Sequence, residues 1–282
     1  MSTEHFDWPG PGETVVEWTP RAGLPLQQAW LSGAELDRMH RQASPLGQRW
    51  GAARCWVRAR LALRLGCPPE QVPLRTDERG RLGLVGLTGT PTGAGTSAGG
   101  GTPRVAGTSA VGGPLAGIGT GDFNVSHTEH ALVLAISGDR VGVDVEEPPA
   151  PADDPLALAE IVGTEQELAQ LTRLPRAQRL MAFQRWWVRK EAVLKADGAG
   201  FLTDPRLVHV GVTEPQPPEP WTVLDHGALR HPDHVGLLPH TLLATAHNVS
   251  IGSAPAQVHV VSQPAGLRYH RRPVRRADGH RG

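Results

Sequence analysis

Trp186-Trp187-Val188-Arg189-Lys190-Glu191-Ala192-Val193-Leu194-Lys195, taken with the upstream run Val141-Gly142-Val143-Asp144-Val145-Glu146, decides how this chain is built. At about 100° per residue the first segment stacks Leu180, Phe183, Trp187 and Leu194 into an apolar stripe, the signature of a core-facing helix. Glu191 falls near the middle of that stripe, where a carboxylate is costly unless paired or metal-bound. The second segment reads as a strand. Residues two apart on a strand share a side, so Asp144 and Glu146 project together. Val141, Val143 and Val145 then face the core, and Gly142 leaves open space beside the carboxylates. An isolated pair of this kind is more often a solvated strand face. Glu191 and Lys195 alone make an ordinary helical salt bridge, worth roughly a few tenths of a kcal/mol. Combined, three carboxylates and a lysine are expected to meet where a divalent cation and a phosphate can be held. Hard oxygen donors of this kind select Mg²⁺, or Mn²⁺, over zinc.

The rest of the composition narrows the function. The 282 residues suffice for one large domain or two small ones, and the formal net charge is zero. No global field therefore recruits nucleic acid or an anionic membrane. No apolar run can span a bilayer and the first residues are polar, so neither a signal peptide nor a membrane anchor is expected. Cys55 and Cys67 cannot make a zinc tetrad and read as reduced thiols of a cytoplasmic protein. Lys190 and Lys195 are the chain's only lysines, side by side on one helix.

Strands are expected at 14–18, 72–75 and 81–85, with helices at 33–42 and 48–65 ended by Gly66. Residues 86–121 are almost all Gly, Thr, Ser, Ala and Pro, a flexible insertion closing an N-terminal half (1–121). The C-terminal half (122–262) opens with Phe123 and continues into a hairpin of 130–136 with 141–146 around Ser137-Gly138-Asp139-Arg140. Thr164 and Glu167 have capping-box spacing, and the next helix should run from Pro175 to Ala196 and end at Gly198. Runs at 207–212, 221–224, 241–246 and 257–261 read as strands of a closing sheet, and 263–282 as a disordered basic tail.

An internal repeat is visible. Arg54-Cys55-Trp56-Val57-Arg58 and the residues to Arg64 align without a gap on Arg185 to Lys195. The fold class expected is α+β, two similar halves packed as a pseudo-dimer. In this alignment Ala59, Arg60 and Arg64 replace Lys190, Glu191 and Lys195. Only one copy keeps the metal-binding carboxylate. Arg49, Arg54 and Arg58 are either solvated or grip a phosphate.

Phe123-Asn124-Val125-Ser126-His127-Thr128 supplies a hydroxyl, an imidazole and loop amides suited to phosphate oxygens, although a lone histidine is more often structural. Taken in order, F-N-V-S-H-T, V-G-V-D-V-E and W-W-V-R-K-E-A-V-L-K resemble the three signatures of the Sfp-type 4′-phosphopantetheinyl transferases. The resemblance runs from about Val15 to Val261. It implies a monomeric pseudo-dimer of two α+β halves, with the active-site cleft between them, that moves the phosphopantetheine arm of coenzyme A, its co-substrate, onto a serine of an apo carrier protein. The partners implied are carriers of fatty acid, polyketide or nonribosomal peptide synthases. It also implies Mg²⁺ ligation by Asp144, Glu146 and Glu191, with Glu191, Lys195 and His127 catalytic. Coenzyme A contacts would come from Arg49, Arg81, Ser126, His127, Lys190 and Lys195. Arg81-Leu82 stands where many members have Lys-Pro.

Two other functions compete. A Mg²⁺-dependent nuclease also combines acids with a lysine, but there the lysine sits two residues from its acid on a strand. A carrier-binding homologue without catalysis is the second; the survival of all three carboxylates and Lys195 argues against it.

Overall fold

The structure, a computed structural model, describes residues 7–87, 121–147, 155–198, 203–228, 242–248 and 257–262. Nearly all of the Gly-rich insertion, and the basic tail, lie outside them. In chain order the first elements are β1 (Glu13–Pro20), α1 (Gly33–Arg41), α2 (Ser44–Leu65), β2 (Leu74–Thr76), β3 (Leu82–Leu84), β4 (Asp122–His127), β5 (Ala131–Ser137) and β6 (Val141–Glu146). There follow α3 (Leu156–Val162), α4 (Glu165–Arg173), α5 (Arg176–Asp197), β7 (Trp221–Ala228), β8 (Leu242–Asn248) and β9 (Gln257–Ser262). The fold is α+β.

β1 organises the first sheet because it is apolar enough to be central: Val16 and Trp18 are buried, and both its edges are paired. It runs antiparallel to β5 and parallel to β9, giving the order β4-β5-β1-β9. The second sheet has the order β6-β8-β7, and β2 with β3 forms a separate hairpin. Strand pairing therefore crosses the expected boundary at 121/122, since β4 and β5 belong with β1. The hairpin expected between β5 and β6 does not form. Its turn carries the chain from one sheet into the other. The strand expected at 207–212 is also absent; a short 3-10 turn at Pro205–Leu207 and irregular backbone take its place.

The long helices α2 and α5 have the same length, 22 residues each, and both end on a left-handed glycine, Gly66 and Gly198. Each follows a 9-residue helix opened by a capping box, Ser32 with Glu35 and Thr164 with Glu167. These landmarks correct the repeat by one residue: Ser32 matches Thr164 and Gly66 matches Gly198. Arg58, Ala59 and Leu63 are thus the counterparts of Lys190, Glu191 and Lys195. The apolar stripe on α5 is corrected too. Of the expected stripe Leu194 is buried, with Trp186, Val188, Ala192 and Val193, while Trp187, Leu180 and Phe183 are only half-buried.

Four buried arginines on α2 need partners, and two glutamates provide them. Arg54 and Arg58 meet Glu35 of α1. Arg60 and Arg64 meet Glu17 of β1, which is 1% exposed. Burial pushes the Glu17 carboxyl up, but hydrogen bonds and charge from Arg60 and Arg64 outweigh it and leave the pKa lowered. Removing one partner of such a group strands the others without compensation. Glu17→Ala should therefore cost about 3–5 kcal/mol, read as a lower urea midpoint; a loss below about 1 kcal/mol, as for an exposed pair, would contradict this.

Candidate active site

β4 and β6 belong to different sheets, yet side chains of β4 hold β6 in place. Asp122 Oδ2 accepts from Val141 N at 3.3 Å, Asn124 Oδ1 accepts from Val143 N at 3.1 Å, and Ser126 Oγ donates to Asp144 Oδ1 at 2.9 Å. Alternation along the strand puts these three residues on one face. The FNVSH segment thus works through strand side chains, not through loop amides.

α5 lies against β6 so closely that Gly142 has no open space beside it. A Cβ there would collide with the Ala192 carbonyl oxygen and the Ala196 nitrogen of α5. That contact brings Glu191 and Lys195, one helical turn apart, to Asp144. Lys195 Nζ donates to Asp144 Oδ1 at 2.5 Å and to Ser126 Oγ at 3.0 Å.

Asp144 is 2% exposed and Glu191 9%. Asp144 Oδ2 and Glu191 Oε1 are buried and accept no hydrogen bond. Burial, then the charges of Asp144, Glu191 and Glu147 working against Lys195, push the Glu146 carboxyl up to about 7. Burial, and then Asp144, also raise Glu191, with Lys195 opposing. Buried orphan carboxylate oxygens beside a third carboxyl fit the donor chemistry of a hard divalent cation. As the side chains stand, with Lys195 drawn onto Asp144, no three His, Cys, Asp or Glu groups among the described residues close into a metal cage.

A cleft of about 950 Å³ opens over this cluster, with Glu191, Lys195, Asn124 and His127 in its lining. His127 stands exposed at the end of β4; desolvation and then the Arg21 guanidinium, 3.5 Å from its Nδ1, hold it below the usual imidazole range. Across the cleft stand Arg38, Trp50 and Arg54, with both guanidiniums 5.0 Å from the Trp50 ring centroid. Burial, and then the neighbouring charges, leave the pKa of Arg54 at about 10, and its buried NH1 has no hydrogen-bond partner.

The structure brings Ser126, His127, Asp144, Glu191 and Lys195 together, with Glu146 in their field. It does not bring in Lys190, which is the plain correction. Lys190 is fully buried, with Nζ donating to Glu167 Oε2 at 2.7 Å, Pro205 O at 2.9 Å and Val162 O at 3.0 Å. An ammonium has three donors and all are spent, so coenzyme A has nothing to gain from it. Arg81 reaches the cleft wall, but its guanidinium bonds Asp122, Val141 O and Lys195 O. Arg49 is 63% exposed and only 3.9 Å from Glu129; it is not in the cleft lining. Arg58 is committed to Glu35, Pro69 O and Val72 O. Arg38, Trp50 and Arg21 gave no sequence signal, because each reads as an ordinary surface residue.

Two comparisons bear on this site. Residues 140–237 match the family model described as the 4′-phosphopantetheinyl transferase superfamily, a span that holds Asp144, Glu146, Glu191 and Lys195. Over 200 residues the chain is 28% identical to the 4′-phosphopantetheinyl transferase HetI of Nostoc sp., covering 70% of this chain and 72% of that protein.

The raised Glu146 carboxyl sets a pH dependence. Its folded pKa of about 7 stands above the ordinary 4.5, so the folded state holds this proton longer than the unfolded one. The stability so conferred is complete below about pH 4.5 and is lost as pH rises through about 7. Between about pH 5 and about pH 8, metal-free wild type should lose stability to urea relative to Glu146→Gln. Parallel pH profiles for the two proteins would refute the shift.

Proposed function

We propose that the chain is a member of the 4′-phosphopantetheinyl transferase superfamily and moves the phosphopantetheine arm of coenzyme A onto the serine of an apo carrier protein, with Mg²⁺. The observation that carries this reading is the Lys195 ammonium, held by Ser126 and Asp144 beside two orphaned carboxylate oxygens under a cleft large enough for a nucleotide.

In the reaction the carrier serine oxygen bonds the β-phosphorus of coenzyme A. The bond to adenosine 3′,5′-bisphosphate breaks, and the serine proton must go to a base. Glu191, in the lining of the cleft one helical turn from Lys195, is the group proposed to take it. Lys195 aims charge at phosphate oxygens from a fixed position, and so loses little to reorganisation. His127, held below the usual imidazole range by desolvation and then by Arg21, is suited to offer one N–H donor rather than a full charge. Mg²⁺ held by Asp144, Glu146 and Glu191 would supply positive charge to the pyrophosphate oxygens. Arg38, Trp50 and Arg54 give the far side of the cleft a cationic, aromatic wall that suits the nucleotide end. A cytoplasmic monomer acting on synthase carriers is the expected setting. Among the described residues, no helix is long and apolar enough to cross a membrane.

Mass spectrometry of a panel of apo-carriers incubated with the protein, Mg²⁺ and coenzyme A tests the proposal. The carrier serine should gain the phosphopantetheine mass, and Glu191→Ala or Asp144→Ala should cut the rate by about a hundredfold or more. Full activity in both variants would sink the metal assignment. Binding of carriers without modification would leave a carrier-binding homologue.

A further inference from the structure

The last turn of α5 is finished by arginines that come from outside it. The final carbonyls of a helix have no partner within it; here Lys195 O accepts from Arg81 NH1. Ala196 O and Asp197 O accept from Arg140 NH2 at 2.6 and 2.8 Å, and Gly198 O accepts from Arg79 NH1 at 3.3 Å. Cations at a helix C-terminus are favoured by the macrodipole as well as by these bonds. Arg79 and Arg81 both belong to the β2–β3 turn, whose Asp77 Oδ1 accepts from Arg79 N and Arg81 N at 2.9 and 2.8 Å.

Arg81 does more than cap. One guanidinium joins α5 through Lys195 O, β6 through Val141 O at 3.1 Å and β4 through Asp122 Oδ2 at 2.5 Å. These are the same three elements that carry Lys195, Asp144 and Ser126. The planar fork of arginine divides these acceptors, NH1 taking the helix carbonyl and NH2 the two strand acceptors. Its side chain is 9% exposed, and Asp122 is completely buried. A substrate anion would have to compete with a buried carboxylate already in contact.

The geometry points to Arg81 as a positioning residue: it fixes the last turn of α5 against β4 and β6 so that Lys195 meets Ser126 and Asp144, and it does not bind coenzyme A through its guanidinium. This rests on the transferase reading for its kinetic arm only.

The chain's two lysines make the test direct, because Lys190 is sealed and Lys195 is 30% exposed. Amine labelling of the full chain at one fixed pH, mapped by peptide mass spectrometry, should show Lys195 reacting several-fold faster in Arg81→Gln, with Lys190 still protected. Isothermal titration should find coenzyme A affinity within about twofold of wild type, while kcat on a carrier falls by about a hundredfold, as misplacement by an ångström does. Unchanged Lys195 labelling overturns the inference. So does weakened coenzyme A binding with an unchanged saturated rate, the mark of a direct contact. If Arg81→Gln exposes Lys190, and so unfolds, the charge-balanced Arg81→Gln/Asp122→Asn protein is judged by the same readouts. Absence of transfer in wild type would refute the transferase proposal, while the labelling arm would still decide the role of Arg81.

Discussion

The approach of α5 to β6 at Gly142 fixes where everything chemical can stand. Ala192 and Ala196 lie with their backbone on the glycine, which sets both the rotation of the helix and its position along the strand. Glu191 and Lys195 each precede one of those alanines and project from the same flank. Two residues beyond Gly142 on the strand is Asp144. Any side chain at Gly142 would push the helix away and separate Glu191 and Lys195 together from Asp144. That one backbone contact therefore sets Asp144, Glu191 and Lys195 against each other, and the β4 side chains add Ser126 to them.

The same economy governs the buried charges of the two long helices. In both helix pairs, α1–α2 and α4–α5, a glutamate at the third position of the short capped helix closes its own N-terminus and also receives a buried cation from the long helix. Glu35 takes Arg58, and Glu167 takes Lys190 at the matching position. Loss of either glutamate would remove a helix cap and strand a cation in the same step. The long helices differ at the next residue, where Ala59 stands in α2 and Glu191 in α5. Lys190 belongs to the scaffold, although it adjoins the most chemically active residue of the helix.

Much of this was legible in the chain. The capping box, the glycine that ends α5, the strand carrying Asp144 and Glu146, and the burial of Glu191 follow from local pattern. What was not legible depends on long-range choices. Gly138-Asp139 announces a turn, but a turn cannot say whether the next strand pairs with the last one or enters another sheet. The repeat slipped by one because side-chain identities favoured the wrong register, while the caps carried the true one. The fate of Lys190 hung on acceptors at Val162, Glu167 and Pro205, which no periodicity on its own helix reveals. Arg38 and Trp50 reach the cleft only through the packing of α1 on α2.

Donor counting separates the two lysines and explains why one sits in the site without being consumed by it. An ammonium carries three N–H groups. Those of Lys190 are all used by protein oxygens in a fully buried pocket, so it can neither move nor recruit anything. Lys195 uses two, on Ser126 and Asp144, and lies in the lining of the cleft. The third can add a phosphate oxygen without breaking the pair that orients the group. Its charge also moderates the repulsion among the three acids; burial first, and then that crowding, raises the carboxyls of Glu146 and Glu191. Lys195 is then preorganised rather than recruited, and preorganised charge acts on a transition state without the reorganisation that a free side chain would need.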